Sequence, residues 1–200
     1  LPLSREKIRI VTAESPQDHP PYFLESARLG FRPWTPADLP LALTLWGDPR
    51  VTAFIDARGR LSAEQVEERL AREMASQELH GEQYWPVFVL DTGDFAGCCG
   101  LRPRKPKEGI HELGIHLRPE YWGKGFAREA ALMVVQHAFD VRGTRGLFAG
   151  HHPGNEASRH LLESLGFRCT HTEYYAPTGL QHPSYFLTAG EYAARRGERL

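Results

Sequence analysis

The sequence predicts one domain of the mixed α/β (α+β) class, a mostly antiparallel central sheet with helices on both faces. Three observations predict it. Stretches of two-residue alternation and of 3.6-residue periodicity follow one another as strand, two helices, three strands, helix, strand, helix, two strands. Capping and turn residues mark the boundaries. The 200 residues, 41% of them hydrophobic and 24% charged, suffice for one buried core.

Residues 1–26, with Pro2, Pro16, Pro20 and Pro21 around the apolar run Ile8 to Val11, read as an extended arm with one edge strand. The domain proper is expected over residues 27–190, with 191–200 as a C-terminal tail. Arg28 to Trp34 reads as a strand. Thr35 as N-cap and Pro36 at the first helical position open a helix with Leu39, Ala42, Leu43 and Trp46 on one side. Ser62 and Gln65 form a capping box for a second helix with the stripe Val66, Leu70, Met74. Tyr84 to Leu90, Asp94 to Leu101 and Ile110 to Leu117 should make an antiparallel meander, the last two separated by a basic loop from Arg102 to Gly109 that is expected to be solvated. An amphipathic helix runs from after Gly123 to about Val141, with Gly143 as its stop. Leu147 to Gly150 is a strand, Asn155 caps a helix that ends at Gly166, and Phe167 to Tyr175 and Ser184 to Leu187 close the sheet.

A formal net charge of −1 points to neither a nucleic-acid binder nor a membrane-surface protein. No stretch reaches the roughly 18–20 apolar residues of a membrane span, and no signal-peptide order opens the chain, so a cytoplasmic location is expected. The adjacent Cys98 and Cys99 and the lone Cys169 have neither disulfide nor metal-ligand spacing, and no metal is expected.

Chemistry concentrates in the run Arg118-Pro-Glu-Tyr-Trp-Gly-Lys-Gly-Phe-Ala127. Two glycines between a strand end and a helix start let the chain curl so that the amides of Gly123 to Ala127, backed by the helix dipole, face an anion; a plain tight turn is the alternative. The run is neither a P-loop nor a dinucleotide fingerprint.

This run resembles the GNAT superfamily of acetyltransferases, whose Gln/Arg-x-x-Gly-x-Gly/Ala signature is matched here as Trp122-x-x-Gly125-x-Ala127. The Trp-Gly-Lys-Gly form is similar to the branch that contains the ribosomal-protein N-terminal acetyltransferases. Asn155-Glu-Ala-Ser158 and the close Leu165-Gly166-Phe167 resemble the family's second motif in the expected order. The resemblance spans about Leu29 to Leu187. It implies acetyl-CoA as cosubstrate, a splayed pair of strands that holds it, and pyrophosphate contacts from Trp122, Gly123, Lys124, Gly125, Phe126 and Ala127. Pantetheine would lie along Ile115, His116 and Leu117, with Asn155 on the arm, Ser158 near the sulfur as acid, and the Leu117 N–H polarising the thioester carbonyl.

Attack of an amine on a thioester needs a base, because an ammonium has no lone pair. Glu112 is the first choice: in a regular strand Glu112, Gly114 and His116 share one polar face. A purely structural carboxylate is the competing role. His116, His151 and His152 are further proton carriers, and Tyr121, Tyr174, Tyr175 and Tyr185 stand in reserve. Trp46, Phe54 and Ile55 are the expected acceptor walls. The acceptor is an amine, either a peptide N-terminus or a small molecule, and the sequence is compatible with a homodimer. A non-catalytic acyl-CoA-binding regulatory module is the alternative function.

Overall fold

A computed structural model describes residues 22–197; the expected edge strand Ile8 to Val11 and most of the N-terminal arm lie outside them. Strands β1 (Leu24–Glu25) and β2 (Leu29–Phe31) come first, so the end of the arm already belongs to the sheet. The helix expected at Thr35 starts as a single 3-10 turn, Pro36–Asp38, before α1 (Leu39–Trp46). Pro40 explains this, since it has no N–H to donate to Pro36. A short α2 (Pro49–Thr52) precedes α3 (Ala63–His80). The Ser62–Gln65 capping box forms as expected, with Gln65 N–H donating to Ser62 Oγ and Ser62 N–H to Gln65 Oε1. Of the expected stripe, Val66 and Leu70 are buried, but the third fully buried residue is Glu73.

The meander consists of β3 (Tyr84–Val89), β4 (Phe95–Lys105) and β5 (Ile110–Leu117), antiparallel throughout. Here the expected basic loop is corrected. β4 stays paired as far as Lys105, passing Pro103 through a register shift, so Arg102 and Arg104 are strand residues rather than solvated loop. The following helix is also shorter than its pattern: α4 spans Phe126–Gln136 and ends in a π turn, His137–Val141. Gly123 and Gly125 both have positive φ, 70° and 80°, which keeps the turn open until Phe126. Then come β6 (Gly146–Gly150), α5 (Glu156–Leu165), β7 (Arg168–Tyr175), β8 (Leu180–Thr188) and α6 (Ala189–Gly197), the last where a tail was expected.

Among the described residues the sheet runs β1-β2-β3-β4-β5-β6-β8-β7. Every neighbouring pair is antiparallel except β5 and β6, which are parallel and matched only at Ile110, His111 and Glu112. Beyond Glu112 the two strands part, while β6 continues against β8 to Gly150. Two cores flank the sheet. One gathers α4 and α5 on Cys99, Leu101, Leu113 and Leu117; the other gathers α1 and α3 on Tyr84, Phe95 and Cys98. The adjacent cysteines thus face opposite ways, as strand alternation requires. No helix among the described residues is long and apolar enough to cross a membrane.

The π turn holds one titratable group inside the core. His137 lies 5.8 Å, centroid to centroid, from both Phe23 and Trp85, and burial, assisted by Arg142, pulls its pKa down to about 4. Between that value and the unfolded one near 6.5, the unfolded chain binds more protons. The stability tied to the neutral ring is therefore complete above about pH 6.5 and is lost as pH falls towards 4. His137→Phe is expected to flatten urea-derived stability over that window; an unchanged slope would place the effect elsewhere.

Candidate active site

The parting of β5 from β6 opens a cleft of about 400 Å³, lined by Leu113 to Leu117, Phe148 to His152, Asn155 and Ser158. The backbone along one wall is available for bonding. Arg118 N–H donates to Ala96 O on the β4 side. Successive residues of a strand turn their polar groups to opposite sides, so those of Leu117 and Ile115 face the cleft. His116 has the reverse parity: its backbone faces β4, and only its neighbours offer the contacts expected of all three.

Trp122 explains how the glycine turn is held to this edge. Its indole N–H donates to Leu117 O at 2.9 Å. From the other side, Arg28 donates to Lys124 O at 3.2 Å, ion-pairs with Glu129 and covers the Phe126 ring. Ser26 Oγ–H completes the clamp on Glu129 at 2.6 Å. Along residues 123–129, the first amide to find a backbone acceptor is that of Glu129, on Gly125 O. The amides before it have no backbone acceptor among the described residues and lie at the N-terminus of α4, where such donors are unsatisfied by the helix itself. Trp122 and Ala127 reach the cleft itself.

On β5 the alternation is regular through Glu112, Gly114 and His116, with no register shift from Leu117 to His111. Glu112 Oε1 accepts from Tyr84 OH at 2.8 Å, and Oε2 has no hydrogen bond among the described residues. Sequence reading had no signal for Tyr84 beyond its place in a strand. Register supplies the reason: Tyr84 pairs with Gly100 and Gly100 with Gly114. The phenol ring lies over Gly114, where a Cβ would come within 2.1 Å of it. Burial and the adjacent Glu112 push the phenol pKa well above its ordinary value, so Tyr84 stays a donor.

Behind Tyr84, the buried Glu73 carboxylate accepts from Tyr84 N–H at 2.9 Å and from Arg102, whose guanidinium lies 4.0 Å over the Tyr84 ring. Arg104 bonds Glu173 at 2.6 and 2.7 Å.

The histidines divide by chemistry. His116 Nδ1 accepts from the Trp46 indole at 3.3 Å, and burial, then Arg69 and Arg102, hold its pKa well below the usual value, which makes it a weak base. His151 is bonded differently. Its Nδ1 donates to the His152 carbonyl at 2.8 Å, which leaves the lone pair on Nε2, buried and without a partner. His152 packs against Phe54, ring centroids 5.1 Å apart.

Phe54 and Ile55 line the cleft, whereas Trp46 does not: it is fully buried between Trp34 and His116. The core stripe of α1 claims it. Asn155 Oδ1 accepts from Ser158 N–H at 3.1 Å, the N-cap role, and Ser158 lines the cleft. Of the reserve tyrosines only Tyr175 does so.

A sheet opened between two strands, with unbonded amides at the head of the helix that follows the first of them, is a geometry suited to an extended cosubstrate that carries phosphate. Residues 28–168 match the model of the acetyltransferase (GNAT) domain, and the chain belongs to that family. Its members are acetyl-CoA-dependent N-acyltransferases, and so is this protein. The N-acetyltransferase p20 of Bacillus licheniformis, itself uncharacterised, is 27% identical over 146 residues, 72% of this chain and 82% of p20. An acetyltransferase from Bacillus anthracis superposes with a TM-score of 0.72 at 19% identity, covering 83% of this chain and 98% of that one. A spermidine N-acetyltransferase from Vibrio cholerae, solved with CoA and spermine, gives 0.69 at 19% identity over 82% and 98%.

Proposed function

We propose that the protein transfers acetyl from acetyl-CoA to a primary amine, with Glu112 as the proton acceptor. One observation carries the proposal: a single cleft brings together an unpaired strand edge, a helix-terminal amide nest and a carboxylate with a free oxygen. The residues present fit the cosubstrate. The amides of Gly123 to Ala127 would hold its pyrophosphate, with Lys124 adding charge, and Ile115, Leu117 and the Asn155 amide nitrogen would hold its arm. Bound there, acetyl-CoA supplies an acyl group on a thiol leaving group.

The chain's own residues then divide the work. Glu112 Oε2 takes the ammonium proton, directly or through water, while Tyr84 fixes the carboxylate. Leu117 N–H donates to the carbonyl oxygen as charge develops on it. Ser158 Oγ–H protonates the departing sulfur and regains a proton from the newly acylated nitrogen, so the second amine proton ends on the thiol; His151 lines the same cleft. The Trp122 form of the turn supports placement in the ribosomal-protein N-terminal acetyltransferase branch; it bears on the cofactor end alone, and the acceptor is read from the cleft.

Acetyl-CoA consumption across a panel of primary amines, set beside calorimetric binding of acetyl-CoA, tests the function. Turnover well above hydrolysis on at least one amine is expected. Tight binding with no turnover on any amine would refute it.

A further inference from the structure

The charges around the cleft are almost all paired within the protein, and the exceptions are informative. Arg102 is taken by Glu73, Arg104 by Glu173, and Arg50 by Asp48. Arg69 lines the same cleft from α3 and makes no ion pair among the described residues. Its partner one helical turn on would be Glu73, but that carboxylate is already committed to Arg102 and to Tyr84 N–H. Arg69 Nε is buried without a hydrogen-bond partner, and the guanidinium lies 4.7 Å over the Trp46 ring, which holds it in place. The two Nη groups stay without a protein partner among the described residues, and the planar fork suits a carboxylate. Arg69 belongs to the α1 and α3 side of the sheet, opposite α4 and its amide nest.

Among the described residues, the cleft therefore offers an acceptor one free cation, Arg69, and one free carboxylate oxygen, on Glu112. That is the complement of an amine bearing a negative group. A polyamine would need several carboxylates, and among the described residues the only other one lining the cleft, Glu173, is paired. At about 400 Å³, shared with the acyl end of the cosubstrate, the space suits a small molecule.

We propose that the acceptor is a small amino carboxylate and that Arg69 binds its carboxylate; this rests on the acetyl-transfer function proposed above. The test is calorimetric titration of the CoA-loaded protein with amino carboxylates such as glutamate and 4-aminobutyrate, their amides, spermidine and a free-N-terminus peptide, with acetyl-CoA consumption measured on the same set. Wild-type protein is expected to favour acid over matched amide by roughly 10- to 100-fold, the range of a hydrogen bond to a charged group. Arg69→Gln should erase that preference and Arg69→Lys should keep part of it, both with unchanged CoA affinity. If the Gln variant does not fold, the Lys variant carries the comparison.

Equal binding of acid and amide, preference for spermidine or the peptide, or equal weakening of acid and amide in the variants would overturn the proposal. Acid-over-amide discrimination without turnover on any amine would keep Arg69's role and refute acetyl transfer. Turnover without discrimination would do the reverse.

Discussion

Gly125→Val is expected to weaken acetyl-CoA binding by roughly 100-fold. Gly125 sits at φ 80°, and a β-branched side chain resists that conformation by more than the about 1–2 kcal/mol of an ordinary residue. The strain is relieved when the backbone turns away, and the nest is lost with it. About 1.4 kcal/mol per tenfold converts the combined strain and lost donors into that ratio. Crowding is not the cause, because the nearest atom to an added Cβ would be Arg28 Nη2 at 3.5 Å, an ordinary contact. This separates two variants that a steric account would not. Gly125→Asn, whose residue type tolerates left-handed backbone, should keep much more affinity than Gly125→Val, although both add bulk. Calorimetry on both, with melting temperatures as the control for folding, decides the matter. Unchanged affinity in the Val variant would remove the pyrophosphate from this turn.

Glu112→Gln should lower kcat/KM by at least about 100-fold at neutral pH, the lower end for a positioned general base. The amide keeps the shape and still accepts the Tyr84 hydroxyl, so the loss would report the missing base rather than a collapsed site. The deficit should shrink as pH rises towards the pKa of the amine, near 10 for a lysine-like group, where the free amine needs less help. A full rate at every pH would exclude Glu112. In that event His151, with its unpartnered Nε2, is the group to replace next, ahead of His116, whose ring accepts the Trp46 N–H and protonates poorly.

Much of the fold was legible because its boundaries are local. The Ser62–Gln65 box, the Asn155 cap and the left-handed glycines at 123, 125 and 166 act within a few residues of themselves, and the structure has each where the sequence implied it. The errors came where a distant partner overrode local pattern. The stretch Arg102 to Lys105 looks like a loop because it is basic and broken by proline, yet β5 pairs with it along its length. Trp46 fits both a wall and the core stripe of its helix by local pattern, and its contacts with Trp34 and His116 assign it to the core.

By itself the sequence determined the class of fold, the glycine turn and the two motifs that carry the family, since these depend on backbone conformations and caps that short segments specify. Only the tertiary structure decided which groups are free to act. The Tyr84 bond to Glu112 depends on register across three strands, and Arg69 lacks a partner among the described residues because a strand arginine 33 positions further along takes its carboxylate. Pairing of charges is a property of the assembled site, because each buried charge is settled by whichever opposite charge the fold brings nearest.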